Sequence, residues 1–145
     1  MAPTGARGRN GDGERDPDRY RDRYGELLGI EVVEVGDGRA GVALTADERH
    51  ANFLGLIHGG AVFSQADAAL AAASNSEAER TAVATVVTIH LLRACRPGDQ
   101  LLAEAEREHS GGRLALYRIT VVRLPDRELV AVAEGQVAIV AGRSS

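Results

Sequence analysis

The sequence contains no lysine, so all 17 of its basic side chains are arginine. That excludes a lysine Schiff base and the lysine of a phosphate-binding P-loop, and leaves phosphate contacts to Arg or to backbone N–H groups. Tryptophan is absent too, and the aromatics stop at Tyr20, Tyr24, Phe53, Phe63 and Tyr117, too few for a base-stacking platform. A single cysteine, Cys95, excludes an internal disulfide and a cysteine-based zinc site, and turn residues rather than an activating base surround it. No apolar run approaches the roughly 20 residues of a membrane span, and Met1–Asn10 has no apolar h-region. The expectation is therefore a soluble, cytoplasmic protein. A net charge of −4 argues against a nucleic-acid-binding surface. The patterns G-x-S-x-G, G-x-G-x-x-G and G-x-x-x-x-G-K are missing, which weighs against serine-hydrolase and nucleotide-binding folds. His50, His90 and His109 lack metal-ligand spacing and are expected at the surface or at edges; no metal site is expected.

What is present suits one globular domain: 145 residues, 44% apolar and 26% charged. Residues 1–16 mix Gly, Pro, Arg and Asp with little apolar content and are expected to be a disordered tail. The domain is expected over 17–141, with a short C-terminal tail over 142–145. Tyr20, Tyr24, Leu27 and Leu28 have the spacing of one short amphipathic helix over Asp16–Leu28, with Pro17 in its first turn and Gly29 past its end. Ile30–Val35 and Arg39–Thr45 are extended, either as a hairpin or as one long bent strand. A polar loop over 46–58 leads to Ala61–Ala73, whose density of alanine and other apolar residues describes a helix wrapped on all sides. The period then changes to two: Thr81–Leu92, Gln100–Glu108, Arg113–Leu124 and Leu129–Val140 read as strands. Short turns between them imply antiparallel neighbours. The fold class is α+β, an antiparallel sheet curled around one long helix.

Asp67 interrupts the apolar helix. A dry, unpaired carboxylate there costs several kcal/mol, so the residue either points from a partly exposed face, caps a neighbouring loop, or is a base whose proton affinity desolvation raises. His58-Gly59-Gly60 stands at the helix entrance. Unpaired N–H groups and the positive dipole end at such a place can hold oxyanion charge, although an ordinary loop-to-helix junction has the same sequence. Thr85, in line with Val83, Val87 and Ile89, carries a hydroxyl that needs a partner, or is simply a good strand residue. Asn52 can orient a water or an acid, or serve turn chemistry. Gly59 and Asp67 are eight residues apart, about 12 Å along one helix. A reacting carbonyl must lie about 3 Å from both its donor and its attacker, so a straight helix implies a site shared between two protomers.

Asn52, His58-Gly59-Gly60, Ser64-x-x-Asp67 in an Ala-rich helix, Ala84-Thr85, Thr88-Ile89, Leu92-Arg93 and Gly98-Asp99 together resemble the PaaI-type acyl-CoA thioesterases of the hotdog superfamily, over roughly residues 20–141. The resemblance implies a hotdog fold and hydrolysis of an acyl-CoA thioester, with phenylacetyl-type acyl groups favoured. It implies that Asp67 is nucleophile or general base, that Gly59 donates its N–H to the thioester carbonyl, and that Asn52 and the Thr85 hydroxyl place substrate and water. His58 then supports the turn. Gly60, Arg93, Arg113 and Arg143 are candidates for substrate binding, the arginines for the CoA phosphates. No cofactor is implied beyond the CoA of the substrate. The family's two-site homodimers, often paired into tetramers, agree with the shared site. The competing readings are a non-catalytic acyl-CoA-binding protein and a hotdog hydratase or dehydratase; the latter lacks a histidine at a hydratase-like position.

Overall fold

A computed structural model describes residues 13–77 and 79–140. The expected N-terminal tail lies outside it up to residue 12, as does the stretch 141–145 with Arg143. Two residues of the stretch expected as tail are paired with the chain: Glu14 bridges Gly36, and the Arg15 N–H donates to the Val35 carbonyl at 2.8 Å.

The predicted first helix is two pieces. Asp16 caps a 3-10 turn over Pro17–Tyr20, accepting from the Asp18 N–H, and Asp22 caps α1 (Arg23–Leu28), accepting from the Gly25 N–H at 2.7 Å. Arg21 and Asp22 are extended between them, because each Asp opens a new helix start. β1 (Ile30–Gly36) and β2 (Arg39–Thr45) form a hairpin. Its turn residues Asp37 and Gly38 both have positive φ, the geometry that matches strand twist in a two-residue turn.

After a 3-10 turn over Glu48–His50 comes α2 (Gly59–Ser74), then β3 (Thr81–Leu91), β4 (Gln100–Ser110), β5 (Leu114–Leu124) and β6 (Glu128–Val140). The six strands make one antiparallel sheet in the order β1-β2-β4-β5-β6-β3. The expected architecture, a sheet around one long helix, is the one found.

Three expectations change. First, β3 and β4 are not neighbours despite the short connection. Residues 92–99 cross the end of the sheet, with the Leu92 N–H donating to Val130, the Ile57 N–H to Cys95 and the Gly98 N–H to Ala46. β3 thereby reaches the free edge beside β6, and β4 joins β2. Second, Thr85 is the extra residue of a β-bulge between Ala84 and Val86. Val83 pairs with Ala138 but Val87 with Gly135, so Val83 and Val87 face opposite sides of the sheet. Third, α2 is not wrapped on all sides. Val62, Ala66, Ala69, Leu70 and Ala73 are buried on the sheet, whereas Ser64, Asp67 and Ala68 are half-buried and Ala71 is exposed.

Gln65 pins the helix to the sheet. It is fully buried, and its Nε2 donates to the Val42 and Leu101 carbonyls at 2.9 and 3.0 Å. Gly135 lets α2 approach: a Cβ there would stand 2.5 Å from Leu70 Cδ2. Because Leu70 is buried and cannot swing away, Gly135→Ala is expected to lower stability by about 1–3 kcal/mol in urea unfolding. An unchanged midpoint would show that the contact relaxes without cost.

Candidate active site

His58 is the N-cap of α2. Its extended backbone turns the chain into the helix, and its Nδ1 accepts from the Gly60 N–H at 2.8 Å. The Ala61 N–H donates to the His58 carbonyl at 2.9 Å. The cap thus uses the Gly60 N–H. The Gly59 N–H, at the positive end of a 16-residue helix, has no partner among the described residues. A Cβ on Gly59 would come within 2.8 Å of Leu91 Cδ1, so the bare glycine keeps the backbone approachable.

Gly59 lines a pocket of about 240 Å³ with Leu91, Leu92, Arg93 and Cys95. Burial raises the Cys95 thiol above its ordinary value, the opposite of what a thiolate nucleophile needs. Arg93 pairs with Glu128 at 3.2 Å at the mouth. Arg113 stands elsewhere: its carbonyl accepts from Ile139, whereas the Arg93 N–H donates to Val130. Nine residues of β6 separate these points, about 30 Å. One chain does not bring the two arginines together.

Asn52 sits in the loop leading to α2. Its Oδ1 accepts from the Leu54 and Leu56 N–H groups at 2.9 and 3.1 Å, which orients the amide. Turn chemistry therefore occupies the oxygen, and Nδ2 is the group left to donate outward.

The loop is anchored by His50, which the structure buries (4% exposed) rather than leaving at the surface. Its Nδ1 accepts from the Asp47 N–H at 3.0 Å, its Nε2 lies 2.6 Å from the Leu28 carbonyl, and its own carbonyl accepts from the His58 N–H at 2.8 Å. Sequence reading missed this because the partners come from three separate segments. The buried Gln65 was legible in principle, since it interrupts the same apolar run as Asp67.

Asp67 lies on the open stripe of α2, half-buried and without a hydrogen bond or ion pair among the described residues. Burial alone raises its carboxyl above the ordinary carboxylate range. Gly59 and Asp67 are on one unbroken helix, eight residues and so about 12 Å and 80° apart. Thr85, at the exposed edge, exchanges two hydrogen bonds with Gln136, donating to its carbonyl and accepting from its Nε2, each 3.1 Å. Among the described residues no group of three His, Cys, Asp or Glu side chains is placed to hold a metal ion.

By architecture this is a hotdog protein, and solved structures agree. The PaaI protein of Escherichia coli, from the phenylacetic acid degradation operon, superposes with a TM-score of 0.82 at 33% identity, covering 88% of this chain and 91% of that one. A mutant of the phenylacetic acid degradation protein PaaI of Thermus thermophilus gives 0.76 at 33% identity, covering 81% and 98%. In sequence, the acyl-coenzyme A thioesterase PaaI of Escherichia coli is 36% identical over 115 residues, 79% of this chain and 81% of that protein. The Thioesterase superfamily model matches residues 54–130, from the loop before α2 to the start of β6. The chain belongs to that superfamily and, within it, to the PaaI-type thioesterases; it is a thioester hydrolase.

Proposed function

We propose that this protein hydrolyses acyl-CoA thioesters, with arylacetyl groups of the phenylacetyl type as preferred substrates. The thioester carbonyl sits at the start of α2, where the Gly59 N–H receives the negative charge that develops on oxygen. The Asp67 carboxylate either attacks the carbonyl carbon, giving an anhydride that water then opens, or removes a proton from the attacking water. In both routes the C–S bond breaks, CoA leaves as a thiolate, and the oxygen of water ends in the free acid. The two routes use the same side chain in the same place. Asn52 Nδ2 donates to the substrate or the water, and the Thr85 hydroxyl, held by Gln136, places the water from the edge strand.

The observation that carries this reading is the unpartnered, half-buried Asp67 carboxylate two turns beyond an unused helix-terminal N–H. Because the two are too far apart on one helix, each site combines Gly59 and Asn52 of one protomer with Asp67 and Thr85 of the other. The free β3 edge supports such a dimer: Val83, Val86, Leu91 and Leu92 are each about half exposed on or just beyond a strand with no outer neighbour. Two-fold pairing of β3 with its copy brings the Leu91 end of one strand toward the Thr81 end of the other. Arg93 of one protomer and Arg113 of its partner then flank the same mouth, where the CoA phosphates need cations. Two such dimers pair into a tetramer.

A thiol-release assay over arylacetyl and straight-chain acyl-CoAs tests the reading. Turnover with the highest kcat/KM on phenylacetyl-CoA is the expected result. Tight acyl-CoA binding without thiol release would replace it with the non-catalytic reading.

A further inference from the structure

Phe53 is the most exposed large apolar side chain among the described residues, at 95%. The loop that presents it is not loose. Ala51 bridges Ile57, the Asn52 N–H donates to the Leu56 carbonyl at 2.7 Å, and the Gly55 N–H donates to the Asn52 carbonyl at 3.0 Å. With the two bonds to Asn52 Oδ1, these close residues 51–57 into a short, tied excursion. Its end is fastened as well, because the Ile57 N–H donates to the Cys95 carbonyl at 2.8 Å. A ring on a flexible loop can fold back onto its own chain. A ring on a tied loop stays in water unless another surface covers it.

Two observations point to a second copy of this chain as that surface. First, the loop is continuous with the β3 edge of the proposed dimer. Cys95, which fastens it, lies four residues past Leu91, and Leu91 reaches to within contact of Gly59. Leu54, Leu91 and Leu92 are all more than half exposed around this junction. Second, the acid of the site is only half-buried in its own protomer, and Ala68 and Ala71 on the same open stripe offer it no cover beyond methyl groups. In a two-fold assembly each copy brings both an uncovered ring and a half-covered acid, so one contact made twice meets both needs. The position of the loop agrees. Asn52 lies against Leu56, which is three residues and so at most about 10 Å from Gly59. Phe53 therefore belongs to the Gly59 end of the site, the end that the shared-site reading sets against Asp67 of the other protomer.

We infer that Phe53 of each protomer crosses the dimer boundary and closes over Asp67 of the other, as the positioning residue that shuts bulk water out of the shared site. The inference rests on the thioesterase reading and on the shared site, and adds the group that completes it. The ring itself does not react. It keeps the carboxylate poorly solvated and strengthens the electrostatic interactions beside it.

Subunit mixing tests this. A heterodimer of Asp67→Asn and Gly59→Pro chains has one intact site, built from the loop and Gly59 of the first chain and Asp67 of the second. Adding Phe53→Ala to the Asp67→Asn chain strips the ring from that site, and kcat/KM per verified heterodimer is expected to fall about tenfold or more. Adding it to the Gly59→Pro chain strips the ring from the site that is already dead, and kcat/KM is expected to stay within about twofold. A merely structural role of the loop would lower both alike. Equal losses in the two placements, a loss only in the second, or no loss in either would overturn the inference. Heterodimers that recover nothing even with Phe53 intact would show that the shared site itself is wrong, and the inference with it. Because the chain has no tryptophan, Phe53→Trp adds a readout without turnover. The indole of the assembled protein should emit to the blue of the urea-unfolded chain and be shielded from acrylamide, even if no thiol were released and the hydrolytic reading failed. Emission and quenching equal to those of the unfolded chain would overturn the inference by themselves.

Discussion

Asp67→Asn is expected to lower kcat/KM for acyl-CoA hydrolysis by about 10²–10⁴, the range for removing a positioned acid–base group. Asn keeps the shape and the burial but can neither attack nor take a proton. The same half-buried position that makes the carboxylate useful makes it costly. An acid whose affinity for protons is higher folded than unfolded contributes no penalty below its ordinary value, and destabilises progressively as pH rises through its raised folded value. Asp67→Asn is therefore expected to melt at a higher temperature than wild type near pH 7. The gap should close when pH falls below the ordinary carboxylate range. Activity follows the opposite course: wild-type kcat/KM should rise with pH through a value above that range and then level off. A variant of full activity would remove Asp67 from the chemistry, and a melting gap independent of pH would remove desolvation as the cause of its behaviour.

The second large effect concerns the helix start. Gly59→Pro deletes one N–H and keeps the helix, since Pro is favoured at the first helical position and His58 before it is already extended. A Cβ at this position meets only the flexible end of the Leu91 side chain. A loss of about 10²–10³ in kcat is expected for removal of an oxyanion donor. Gly60→Pro would instead delete the N–H that His58 caps, and would confuse loss of the cap with loss of chemistry.

Much of this was legible in the sequence, for reasons that differ by element. β4, β5 and β6 were readable because buried and more exposed positions alternate along much of each, and α2 because alanine on every side has no other stable use. The position of β3 was not readable. A short connection specifies how far the chain travels, but not that it crosses under the helix entrance to a different strand. The bulge at Thr85 was hidden for a related reason: one extra residue inverts the alternation, and nothing in Ala84-Thr85-Val86 marks where. His50 looked like a loop residue because its partners, Leu28, Asp47 and His58, meet only in the folded chain. At Asn52 the amide oxygen serves the turn, which leaves the amide nitrogen for the proposed role. Asp67 was visible as the acid among alanines, and its distance from Gly59 could be counted along the helix; the structure adds that one unbroken helix carries both.

That distance leads to the central claim, that each site draws its donor and its acid from different protomers. It is tested by mixing Asp67→Asn and Gly59→Pro subunits, each inactive alone, after subunit exchange. A heterodimer then carries one site with both defects and one with neither. At statistical exchange half the dimers are heterodimers, so about a quarter of wild-type activity should return. Verified heterodimers with no recovered activity would contradict the shared site.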